Sequence, residues 1–146
     1  MLIEIVSKAR QSLFLAAPFI YVSPNLAAGS LVPALYHAAR RGVAIDIVST
    51  AESLERLRSS MPEFAAQRTV RLFRPTAGLS ATALGSHAKV FIADERYAYM
   101  GSANLTDPGL KTNLEMGVLI EGTLARQAAD FWKELIGLGF LHHMRK

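Results

Sequence analysis

The sequence predicts an α/β protein, a single domain spanning 1–146 with a mixed, largely parallel β-sheet sandwiched between helices, on three observations. Two nearly continuous apolar runs of strand length, residues 12–17 and 43–49, suit strands covered on both faces. Segments with apolar residues at helical spacing separate such runs, and helices between consecutive strands imply right-handed parallel crossovers. A chain of 146 residues, 51% hydrophobic and 19% charged, is large enough to bury one core and is not a disordered tail.

Taken in order, residues 2–10 place Leu2, Ile5, Val6 and Ala9 at helical spacing, and the run Ser12-Leu13-Phe14-Leu15-Ala16-Ala17 ends at Pro18, which reads as a helix followed by a buried strand. Pro18, Pro24 and Asn25 bracket a loop. Ser30 is a candidate cap for a helix that continues to about Arg41 and stops at Gly42. In the second run Asp46 is the exception to apolar character. Thr50 to about Arg58 carries Leu54 and Leu57 among alternating charges, a surface helix, and Val70-Arg71-Leu72-Phe73 is a third strand. Pro75, Gly78 and Gly85 mark 75–85 as a flexible loop, a candidate rim for a site immediately before His87. Further strands are expected over 87–93, 97–100 and 114–121. Thr123 is then expected to cap a helix with Leu124, Ala128, Phe131, Trp132 and Leu135 on its apolar face.

The chemistry-bearing residues concentrate in 87–104, HAKVFIADERYAYMGSAN. His87 and Lys89 are two apart, so on a strand both project from one face and an imidazole meets an ammonium. Asp94 ends that run, and Gly101-Ser102-Ala103-Asn104 is a small, hydrogen-bonding loop that can return donors beside them. The pattern HxKxxxxDxxxxxxGSxN has six fixed residues, and a chance match in a chain this long is on the order of one in a million. In every fixed position it resembles the signature of the phospholipase D superfamily. Thr106 and Asn113-Leu114-Glu115 extend the resemblance to about Glu115, because the single-motif nucleases of that superfamily carry an NxE-like element after the GSxN loop.

The resemblance implies a phospholipase D-like domain and a phosphodiesterase in which His87 attacks phosphorus to form a covalent phosphohistidine, while a second motif histidine protonates the leaving oxygen. An attacking imidazole nitrogen must be unprotonated, so the other ring nitrogen needs an acceptor that fixes the tautomer; by resemblance, Glu115 is the candidate. Lys89, Ser102 and Asn104 are expected to hold the non-bridging phosphate oxygens. Asp94 and Gly101 are assigned structural roles. No cofactor and no metal are expected, since no cluster of Asp, Glu, His or Cys with ligand spacing accompanies the motif and Lys89 supplies the positive charge. One motif is half of the apparatus for displacement at phosphorus. As in the single-motif relatives, a homodimer would bring two His87 side chains to one shared phosphate.

A net charge of +4 and a pI of 9.7 fit a polyanionic partner. Arg71, Arg74, Arg96 and Lys111 are candidates for flanking phosphates, and without an array of exposed aromatics the expected recognition is of backbone rather than sequence. His37, His142 and His143 have no lysine two positions on, so none begins a second motif. The longest apolar stretch, 13–22, is broken by Pro18 and is shorter than the ~20 residues of a membrane span. The N-terminus carries Glu4 and no basic region before an apolar run, so a cytoplasmic location is expected. The absence of cysteine removes disulfides and thiolates. The expected function is a metal-independent phosphodiesterase cleaving DNA or RNA. The alternatives are a phospholipid phosphodiesterase or transphosphatidylase, and a catalytically silent nucleic-acid-binding accessory module. The intact motif argues against the module, and a short chain without a basic amphipathic helix argues against the phospholipid.

Overall fold

Strand β1 (Ser12–Ala16) is the middle strand of a seven-stranded mixed sheet. The computed structural model describes residues 2–21, 31–76, 87–106 and 114–144. On one side β1 pairs in parallel with β3 (Ala44–Val48), and β3 with β4 (Val70–Pro75). On the other side the pairing is antiparallel, through β5 (Val90–Ala93), β6 (Tyr97–Gly101) and β8 (Gly117–Glu121). Strand β9 (Leu141–His143) closes the sheet antiparallel to β4. Parallel pairing is thus confined to β1, β3 and β4, where helices make the connections. A separate parallel pair joins β2 (Ile20–Tyr21) to β7 (Leu105–Thr106).

Alternation along the strands sorts two cores. Leu13, Leu15, Ile45, Ile47, Leu72, Phe91 and Tyr99 face α1 (Leu2–Lys8), α2 (Leu31–Arg40), α3 (Ala51–Ser60) and α4 (Pro62–Ala65). Ala16, Val48, Phe73, Ile92 and Ala98 face the other way, against α5 (Thr123–Gly137). One helix is too narrow to cover that face of seven strands. At its uncovered part the second apolar run departs from expectation, and Asp46 is not buried among apolar groups. Its two carboxylate oxygens accept from Arg71 Nε and Nη2 at 2.7 Å each, and the guanidinium lies over the Phe73 ring. Hydrogen bonding to Asp46 raises the Arg71 pKa further above its ordinary value.

Local chemistry sets the ends. Gly42, at φ +85°, ends α2, and Thr50 Oγ1 caps α3 by accepting from Ser53 N at 3.2 Å. The expected cap at Ser30 and most of the expected rim, residues 77–85, lie outside the described residues. Pro75 itself belongs to β4, opposite Leu141. Two expectations for α5 are corrected. Its cap is Gly122 at φ +70°, with no side-chain bond, and Thr123 is its first residue. Its buried stripe is Ala125, Ala129 and Trp132, with Ala128 and Leu135 half-buried beside it as expected, while Leu124 and Phe131 are exposed. Trp132 packs on Phe14, which fixes the stripe to the Leu135 side of the expected face.

Candidate active site

Antiparallel pairing gathers three segments at one end of the sheet. Residues that lead into β5 and residues that leave β6 meet there, and β8 brings 114–116 alongside. The N–H of Gly101 donates to the Lys89 carbonyl at 3.1 Å, and that of Ser102 to the Met116 carbonyl at 2.9 Å. His87 and Lys89 sit just before β5 rather than within the expected strand. Their geometry is therefore not strand alternation. Lys89 Nζ donates to the His87 carbonyl at 3.1 Å, folding the ammonium back over its own segment, while His87 is exposed.

The loop that follows β6 is fixed by packing. Tyr99, 2% exposed, lies over Gly101 and over its cross-strand partner Gly117. Beyond that contact Ser102 Oγ accepts from Met116 N at 3.0 Å and donates to Glu115 Oε2. Glu115 was expected beside the His87 ring; among the described residues its hydrogen-bond partner is Ser102, because the backbone ladder sets 114–116 next to 102. Asn104 Oδ1 is buried with no hydrogen-bond partner among the described residues, a polar atom left open at the loop end. Leaving such an atom unpaired costs about 1–3 kcal/mol, and as an acceptor it is relieved only by a donor.

Asp94 lies just past the far end of β5, five residues on from Lys89 and so roughly 16 Å from it at about 3.3 Å per residue. Asp94 and Glu95 both have positive φ, and Arg96 N donates to the Ala93 carbonyl at 3.0 Å, making the β5–β6 turn. The Asp94 carboxylate accepts from the backbone N–H of Arg10, Gln11 and Ser12 at 2.7–3.1 Å. Arg96 belongs to the same turn and packs on Tyr97, and Arg71 is engaged by Asp46, so neither reaches the site as expected for a flanking-phosphate contact. Arg74 stands nearer the site end of β4, opposite His142. Lys111 and Asn113 lie outside the described residues. His37 is exposed on α2, and His143 packs on Phe73 in β9.

Residues 2–136 match the family described as cardiolipin synthase, PLD-like domain. No curated protein matches the chain in sequence. Among solved structures, the phospholipase D family member Nuc from Salmonella typhimurium is similar at a TM-score of 0.72 and 21% identity, over 99% of this chain and 89% of that one. NucT from Helicobacter pylori is similar at 0.72 and 21%, over 93% and 85%. Phosphatidylserine synthase from Haemophilus influenzae gives 0.73 and 14%, over 97% of this chain but 36% of that one. At these identities the likeness to the solved structures is one of fold.

Proposed function

The chain belongs to the phospholipase D superfamily as a PLD-like domain, and from that membership we propose that it is a metal-independent nuclease, cleaving the DNA or RNA backbone through a phosphohistidine on His87 at a site shared by two copies. The observation that supports this reading is that the Lys89–Gly101 and Ser102–Met116 backbone bonds hold the segments carrying His87, Lys89, Ser102, Asn104 and Glu115 side by side at one sheet end. Among the described residues no group of three or more His, Asp or Glu side chains is placed to hold a metal ion, and no helix is long and apolar enough to cross a membrane.

In this scheme an imidazole nitrogen of His87 bonds to phosphorus as the bond from phosphorus to the leaving oxygen breaks. That oxygen takes the proton carried by the His87 of the second copy. Water then attacks phosphorus and gives a proton back to that second imidazole as the nitrogen–phosphorus bond breaks. The Lys89 ammonium and the Asn104 amide meet the charge that grows on the non-bridging oxygens. Ser102 gives its one hydroxyl proton to Glu115, so it joins them as a neutral donor by turning that proton from the carboxylate to the phosphate, and Glu115 enters as a positioning residue. Leu114 and Met116, exposed on either side of Glu115, give the second copy an apolar surface to cover beside the site.

The test is incubation of the wild type and of His87→Ala with labelled DNA, RNA and phosphatidylcholine, all in chelator. Cleavage of a nucleic acid by the wild type alone is expected. Turnover of phosphatidylcholine with both nucleic acids untouched would replace the nuclease reading with a lipid one.

A further inference from the structure

Hydroxyls hold two successive carbonyls just outside the proposed site. Ser49 Oγ donates to Ala17 O at 2.7 Å and lies 3.2 Å from Pro18 O, while Ser53 Oγ donates to Pro18 O at 3.1 Å with Thr50 Oγ1 3.4 Å from it. Ser49 and Ser53 are themselves buried, so this clamp is part of the scaffold rather than of a mobile surface. It fixes the peptide that leads into Phe19. That ring emerges 60% exposed, although Ile20 beside it is buried. Ile20 pairs with Leu105, so the parallel register carried back one residue sets Phe19 beside Asn104, the end of the motif loop. Phe19 forms one wall of a cavity of about 400 Å³ whose other walls include Ile20, Thr50, Glu52, Arg56 and Thr106.

We propose that this cavity is a subsite for one nucleobase of single-stranded nucleic acid, stacked on Phe19 beside the phosphate engaged by His87. The proposal rests on the nucleic-acid reading above and narrows it. A cavity of this size is in the range that takes a small ligand group. An exposed ring on a backbone held at Pro18 is a stacking platform that accepts any base, whereas a base inside a duplex already has both faces covered. The rim is polar: Arg56 Nη2 lies 2.6 Å from Glu52 Oε1, and the threonines stand alongside. A base edge and a sugar offer hydrogen bonds to such a rim, while an acyl chain would strip water from it and return none.

The test measures binding by the His87→Ala protein, alone and with Phe19→Leu or Phe19→Trp added, to a labelled single-stranded oligonucleotide and to the same strand made of abasic sugar phosphates. Phe19→Leu should weaken binding of the normal strand about tenfold, Phe19→Trp should retain it, and all three proteins should bind the abasic strand alike. Equal loss on both strands, or no loss on either, overturns the subsite. Binding to phosphatidylglycerol vesicles that disappears with Phe19→Leu, without any dependence on bases, overturns it in favour of a lipid surface. Cleavage of the same strands by the wild type separates the two readings. Cleavage with Phe19-independent binding removes the subsite alone, base-dependent stacking without cleavage removes the nuclease alone, and no binding at all removes both.

Discussion

Tyr99 and Gly117 are in contact across the β6–β8 pair, ring against bare backbone, and the same ring closes on Gly101 two residues along its own strand. A Cβ at Gly101 would stand 2.6 Å from Tyr99 Cζ and from the Met116 carbonyl oxygen. The glycine of the GSxN loop is therefore a steric requirement of the tyrosine beneath it. Gly117→Ala should lower stability by about 1–3 kcal/mol, the usual cost of overpacking. In a Tyr99→Leu background that cost should shrink markedly, because the two sites share one contact. Urea unfolding of the four proteins checks this, and an undiminished cost in the double variant would clear the ring of responsibility.

Phosphodiester cleavage should survive excess EDTA and should vanish in His87→Ala and Lys89→Ala. In the proposed scheme Lys89 supplies the positive charge for the phosphate, so no ion is needed for it. A requirement for added divalent metal would show that the chemistry runs by another route.

Nucleic-acid binding by His87→Ala should weaken as salt rises, because phosphate contacts release counterions. If about three phosphates of a single strand are held, the slope of log K against log salt should be near −2. A flat titration would point to an uncharged or small-molecule substrate.

Sedimentation should show a homodimer, and mixing the wild type with a ninefold excess of His87→Ala should cut activity per wild-type chain about tenfold, since random pairing leaves few intact composite sites. The two imidazoles have to begin in opposite protonation states, so the rate should rise and then fall with pH. A monomer fully active at nanomolar concentration would place the general acid within one chain.

The sequence displays what repeats locally. Residues 12–17 and 43–49 announce buried strands, Gly42 announces the end of a helix, and the spacing from His87 to Asn104 announces the loop that the sheet brings back beside Lys89. What depends on partners across the sheet is not displayed. Glu115 bonds to Ser102 because β8 lies against β6, and no pattern within 114–121 contains that pairing. The buried stripe of α5 is chosen by Phe14, more than a hundred residues away in the chain, over an equally apolar stripe through Leu124 and Phe131. The α4 turn was marked only by Pro62 at its first position. Phe19 looks like one more core residue until the Pro18 clamp turns it outward.

The bonds from Asp94 to residues 10–12 join groups 82–84 positions apart in the chain. Closing a loop of that length costs entropy that shorter crossovers avoid, and folding slows as such distant contacts come to dominate. The β1–β3–β4 half is built from successive neighbours and is able to form first. The β5–β6 hairpin is then expected to dock on β1 afterwards, with Asp94 as its clasp at one end and His87 and Lys89 at the other. Asp94→Ala should accordingly slow refolding in stopped-flow measurements, and an unchanged refolding rate would show that the hairpin docks without its clasp.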